Sequence, residues 1–127
     1  MAGSAEEAIR EHVKAIGDRK EIKLADTIHL PFQHYSANAE WVFQWDSPED
    51  VPEYMELLDP RWSGTYCRLN SAEILAASEK KVVFRVNVTR YKAEASPLQT
   101  FEALYTVLQK HGDWRVVHRN PIKVLSA

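Results

Sequence analysis

The chain has 127 residues, 45% hydrophobic and 27% charged, with a formal net charge of −2, which describes one globular domain over residues 1–127 with a single core. A charge so near neutral excludes the broad basic field that holds nucleic acid or an anionic membrane, no apolar run approaches the roughly 20 residues of a membrane helix, and the acidic Met1–Glu7 stretch lacks the apolar core of a signal peptide. The one cysteine, Cys67, permits no internal disulfide, so a reducing, cytoplasmic compartment is expected, with Cys67 as a small buried hydrophobe.

Ser4 and Glu7 have the spacing of a capping box, and Ile9, Val13 and Ile16 follow on one helical face until Gly17 ends the helix. Asp18 and Glu21 repeat the capping spacing, which predicts a second short helix from near Arg19 to about His29, where Pro31 forces Leu30 into an extended conformation. Phe32–Tyr35 and Trp41–Trp45 then read as a hairpin around the turn-forming Ser36-Ala37-Asn38-Ala39. Ser47-Pro48-Glu49-Asp50 starts a third helix, with Val51, Met55 and Leu58 on its apolar face and Pro60 at its end.

The second half has the period of strands. Tyr66–Ala77 mixes β-favouring Thr65–Leu69 with helix-forming Ser71–Ala77 and reads as a broken or bulged strand. Val82–Tyr91 alternates Val82, Phe84, Val86 and Val88 against Arg85, Asn87 and Thr89, with Arg90 at the far end of the apolar face. Phe101–Leu108 and Trp114–His118 are two further strands, with turns at Ala93–Pro97 and His111–Asp113.

Two helices, a hairpin, a third helix and a long antiparallel meander resemble the nuclear-transport-factor-2-like (NTF2-like) superfamily, which includes ketosteroid isomerase, scytalone dehydratase and the SnoaL-like cyclases. Ile28-His29-Leu30-Pro31, Trp62-Ser63, Thr89-Arg90-Tyr91, Leu104-Tyr105 and Gly112-Asp113-Trp114-Arg115-Val116-Val117-His118-Arg119 are similar to motifs of uncharacterised bacterial members. The resemblance covers almost the whole chain. It implies an α+β, cystatin-like cone in which three N-terminal helices pack in a strongly curved, mostly antiparallel sheet with a pocket at its open end. It also implies a homodimer through the outer sheet surface, where parity selects Arg85, Asn87, Thr89, Glu102, Thr106 and Arg115. The acids of the isomerases do not carry over: His12 stands near the place of their helix-one Tyr, Ser36 near that of their base, and Glu102-Ala103-Leu104 near that of their strand Asp.

Several side chains are candidates for chemistry within such a cone. His118 alternates with Trp114 and Val116, which places it with Asn120 on their face, either as a proton shuttle or as an interface histidine. Arg90 points inward, toward a substrate carboxylate or toward Glu73, Glu102 or a partner subunit. Tyr105 shares parity with Phe101, Ala103 and Val107, so its hydroxyl reaches the interior and can donate to a ligand oxygen. His118, Tyr105 and Arg90 are the catalytic candidates. His12, His34, Tyr35, Trp41, Trp45, Trp62 and Asn120 are the ligand-binding candidates, with a hydrogen-bonded core histidine the favoured reading of His12 and core and dimer packing the alternative for the tryptophans. His29 and His34, five apart across Pro31, do not have a metal-ligand spacing, and His29 is expected to bond backbone instead. No nucleophile motif or phosphate-binding glycine loop appears, so no metal or cofactor is expected. Two functions remain: a protein that binds a small, largely apolar molecule, with cofactor-free isomerase, dehydratase or cyclase chemistry open to it, or a non-catalytic dimeric association module.

Overall fold

The capping residues at the amino end act as their spacing predicts. In the computed structural model, which describes residues 3–17, 24–36, 40, 42–47, 49 and 64–126, the Glu7 amide donates to Ser4 Oγ (3.2 Å) and Glu7 Oε2 accepts from the Gly3 amide (3.3 Å). These bonds satisfy orphan donors at the start of helix α1, Ala5–Gly17. One side of α1 is solvated and carries the Arg10–Glu6 ion pair (2.9 Å). The other buries Ala8, Ile9, His12, Val13, Ala15 and Ile16. Full burial of an aliphatic side chain such as Ile9 stabilises by roughly 1.5–3 kcal/mol, so this stripe, rather than helix propensity, holds α1 in place.

The expected second helix does not reach His29. Residues 18–23 lie outside the described residues, but Leu24–Thr27 is a single 3₁₀ turn and Ile28 already begins a strand. Thr27 Oγ1 donates to the Leu24 carbonyl (2.8 Å), a local bond that competes with helix continuation. Beyond it, Ile28 pairs with Val116. The expected third helix, from Ser47 to Pro60, falls almost wholly outside the described residues. Among the described residues α1 is therefore the one α-helix, where three were expected, and no helix is long and apolar enough to cross a membrane.

Six strands follow: β1 (Ile28–Tyr35), β2 (Val42–Trp45), β3 (Tyr66–Ala77), β4 (Lys81–Tyr91), β5 (Pro97–Lys110) and β6 (Asp113–Ser126). They form one sheet in the order β2-β1-β6-β5-β4-β3. All neighbours are antiparallel except β1 and β6, which run parallel. The expected hairpin is β1–β2, with Phe32 opposite Trp45 and Tyr35 opposite Val42. Pro31, preceded by a cis bond, sits in β1 where the β6 register breaks between Ile28 and Gln33, so its missing N–H removes no ladder bond. The broken strand is β3, with register shifts between Leu69 and Ser71 and between Ile74 and Ala76. The displaced Asn70 donates to Asn87 Oδ1 and Thr89 Oγ1, both at 2.7 Å.

Strand β5 has the clearest alternation: Phe101, Ala103, Tyr105 and Val107 are buried, and the residues between them are half-buried. The buried set faces α1, because the His12 ring meets those of Tyr105 and Phe32. Val82, Phe84, Val86 and Val88 of β4 extend this inner face. On the outer face, Arg85 pairs with Glu102 (3.3 Å).

Candidate functional site

Strand pairing places three polar side chains in one row on the inner face. Tyr105 of β5 stands opposite Arg119 of β6, and Arg119 stands beside His34 of β1. Paired residues in neighbouring strands share a face. Helix α1 lowers His12 onto this row. The His12 ring centroid lies 5.6 Å from that of Tyr105, edge-on, and 5.9 Å from that of Phe32. All four polar groups are withdrawn from water: His12 is 0% exposed, Tyr105 1%, His34 5% and Arg119 5%. Trp45 closes the β2 side and packs edge-on against Phe32 at 6.1 Å.

The electrostatics follow from burial. Desolvation pushes His12 well below the ordinary histidine value, and the Arg119 guanidinium adds to the effect. His34 is lowered to about 2 by burial first, then by Arg119, His12 and His118. Both rings are therefore neutral at pH 7. His12 Nδ1 bonds Thr27 Oγ1 at 2.9 Å, while His12 Nε2 is buried without a hydrogen-bond partner among the described residues.

The remaining predicted residues separate into three groups. His118 and Asn120 do not line the inner face. Val107 pairs with Val116 but Thr106 pairs with His118, so one residue, Val117, is extra in β6. This bulge reverses the parity beyond it. His118 lands opposite Thr106 and Asn120 opposite Leu104, on the outer face, and Arg119 takes the inner position. Tyr35 is also outside, its ring 5.3 Å from that of His118. Arg90 does point inward and is buried, but it stands opposite Cys67, away from the Tyr105–His34 row, and its Nη1 donates to Thr65 Oγ1 (2.9 Å). Its two acidic candidates are on the outer face: Glu102 bonds Arg85, and Glu73 stands opposite Arg85. Trp41 and Trp62 lie outside the described residues.

His29 bonds backbone as expected, donating from Nε2 to the Asp113 carbonyl (2.8 Å). It does so from a strand, not a helix end. Among the described residues no three His, Cys, Asp or Glu side chains gather as a metal site. The structure thus unites His12, His34, Tyr105 and Trp45 and adds two residues that sequence reasoning missed. Arg119 was visible only as the last residue of the Gly112–Arg119 motif, and Thr27 carried no signal at all.

No family model and no curated protein matches the sequence. Solved structures do match at the level of fold. A cystatin-like protein of unknown function from Nostoc punctiforme superposes with a TM-score of 0.74 at 12% identity, over 98% of this chain and 95% of that one. An NTF2-like protein of unknown function from Pseudomonas putida gives 0.68 at 14% identity, over 95% and 90%. A candidate ketosteroid isomerase from Shewanella frigidimarina gives 0.69 at 12% identity, over 92% and 93%. With the order of its sheet and these superpositions, the chain has the cystatin-like fold of the nuclear-transport-factor-2-like proteins.

Proposed function

We propose that the protein binds a small, largely apolar molecule on the inner face of its sheet, against His12, His34, Tyr105 and Arg119. The observation that carries this reading is the convergence of four buried polar side chains from α1, β1, β5 and β6 on one spot of a mostly apolar interior. A few convergent polar groups on apolar walls are what orients a small ligand.

Binding is favoured over proton transfer by the basicity of the two histidines. A general base works best with a pKa near the operating pH. His34, at about 2, and His12, also well below the ordinary value, are built to stay neutral and to hydrogen-bond. Isomerase, dehydratase or cyclase chemistry would need a bound anion to raise one of them. The Shewanella frigidimarina neighbour is described as a candidate isomerase, but the acids of that chemistry are not at the corresponding positions here.

A thermal-shift screen with small aromatic acids and cyclic ketones tests the proposal. The expected outcome is stabilisation by at least one compound, lost in Arg119→Met. A flat response across the panel would overturn it. The association reading draws its support from Ile122, Val124 and Leu125, which are exposed along the end of β6. Sedimentation equilibrium decides it: a dimer that dissociates in Val124→Asp supports association of two copies, and a monomer at micromolar concentration rejects it.

A further inference from the structure

The bonds around Thr27 determine which nitrogen of His12 carries the proton. Thr27 Oγ1 lies 2.8 Å from the Leu24 carbonyl oxygen and 2.9 Å from His12 Nδ1. A carbonyl only accepts, and a threonine hydroxyl has one proton. That proton is committed to Leu24, so toward His12 the hydroxyl can only accept. Nδ1 is therefore the protonated nitrogen, and in a neutral ring Nε2 presents a bare lone pair. That lone pair belongs to a fully buried side chain, and among the described residues no group meets it. A buried acceptor left unmet is costly, and the rings of Phe32 and Tyr105 pack against the same imidazole.

We infer, building on the binding reading above, that His12 Nε2 is the acceptor that recognises an N–H or O–H donor on the bound molecule, and that this molecule is flat, largely apolar and either uncharged or anionic. The donor requirement follows from the bare nitrogen. A flat, aromatic molecule suits the Phe32 and Tyr105 rings that pack against His12. Cationic donors such as ammonium are disfavoured because the Arg119 charge already opposes positive charge at His12. Thr27 is a positioning residue, because it acts only through the tautomer it imposes.

Two measurements on the full chain test this. Long-range proton–nitrogen NMR reads the tautomer directly. The expected result is a protonated Nδ1 and an unprotonated Nε2 for His12, with the pattern lost in Thr27→Val and restored in Thr27→Ser. The second measurement titrates indole and indene, which share size and shape but differ in the N–H donor. Indole should bind about tenfold tighter, the value of one buried hydrogen bond, and should shift the Nε2 resonance. In His12→Phe the two should bind within about twofold of each other. Should that variant not fold, the wild-type titration alone decides. Equal binding of both probes with an unmoved Nε2 overturns the inference and leaves the binding reading standing. A protonated Nε2 overturns it whatever binds. Binding of neither probe at millimolar concentration overturns both.

Discussion

The Arg119 charge reaches three buried groups of the inner face. It lowers His12 and His34 and opposes the burial effect on Cys67. For His34 it ranks behind desolvation, and the order of causes makes a prediction. In Arg119→Met the His34 pKa should rise from about 2 yet stay below the ordinary histidine range, because burial persists. Histidine NMR titration checks this, and a return to the ordinary value would mean that water had entered the site. At Thr27 the stake is stability. Thr27→Val removes both the bond to Leu24 and the acceptor for His12 Nδ1, leaving a buried donor unmet. The expected cost is about 1–3 kcal/mol, most of it recovered in Thr27→Ser, measured by urea unfolding. Cys67 is a simpler case. It is buried and its thiol is pushed up by that burial, so thiolate chemistry is suppressed. Iodoacetamide at pH 7.5 should modify it only when denaturant is added.

At the scale of elements, turns and bulges decide which residues reach the inner face. The β5–β6 hairpin turns through His111 and Gly112, both with positive φ, 54° and 77°, as a two-residue turn of this kind requires. A Cβ at Gly112 would meet nothing within 4 Å, so the cost of Gly112→Ala is conformational alone. It should be about 1 kcal/mol, seen as a Tm lower by roughly 3–6 °C. His111→Asn should be neutral or slightly stabilising, since Asn tolerates this region better. That turn was legible in the sequence because glycine marks it. So was the break in β3, where Ser71–Ala77 contradicts the β-favouring residues before it. The bulge at Val117 was not legible. It is a β-branched residue directly after another, Val116, and nothing in Trp114–His118 separates a regular strand from one with an extra residue. Alternation therefore put His118 inside and Arg119 outside, the reverse of the structure. The start of β1 was hidden for a related reason. Pro31 reads as a helix terminator, but the tight Leu24–Thr27 turn and the pairing of Ile28 with Val116 are tertiary choices that outrank local propensity. Tyr105 was readable because β5 alternates without interruption down to Val107.

For the whole molecule, the two buried histidines couple folding to pH. In the unfolded chain each titrates near 6.5; in the folded chain His34 takes a proton only near 2 and His12 only well below 6.5. Between those limits the unfolded state binds more protons, so stability is complete above pH 6.5 and is lost as the pH falls. The sign is opposite to that of a histidine held by a salt bridge, whose contribution would grow on acidification. Each ring costs at most about 1.4 kcal/mol per pH unit inside this window. From pH 7 to pH 5 His34 alone should therefore remove about 2 kcal/mol, with His12 adding in the same direction, a sizeable share of the 5–15 kcal/mol typical of a domain. Carboxylates contribute little above pH 5, so this interval isolates the histidines. Urea unfolding at pH 7.5, 6 and 5 measures the effect. His34→Phe, neutral at every pH, should lower the slope by the His34 share. His118→Ala should lower it less than His34→Phe does, because the partial burial of His118 on the outer face lowers its pKa but leaves it less withdrawn from water than His34. A wild-type stability that stays level from pH 7.5 to 5 would mean that both rings gain protons as readily folded as unfolded, and the inner site would then be open to water rather than sealed around a neutral hydrogen-bonding pair.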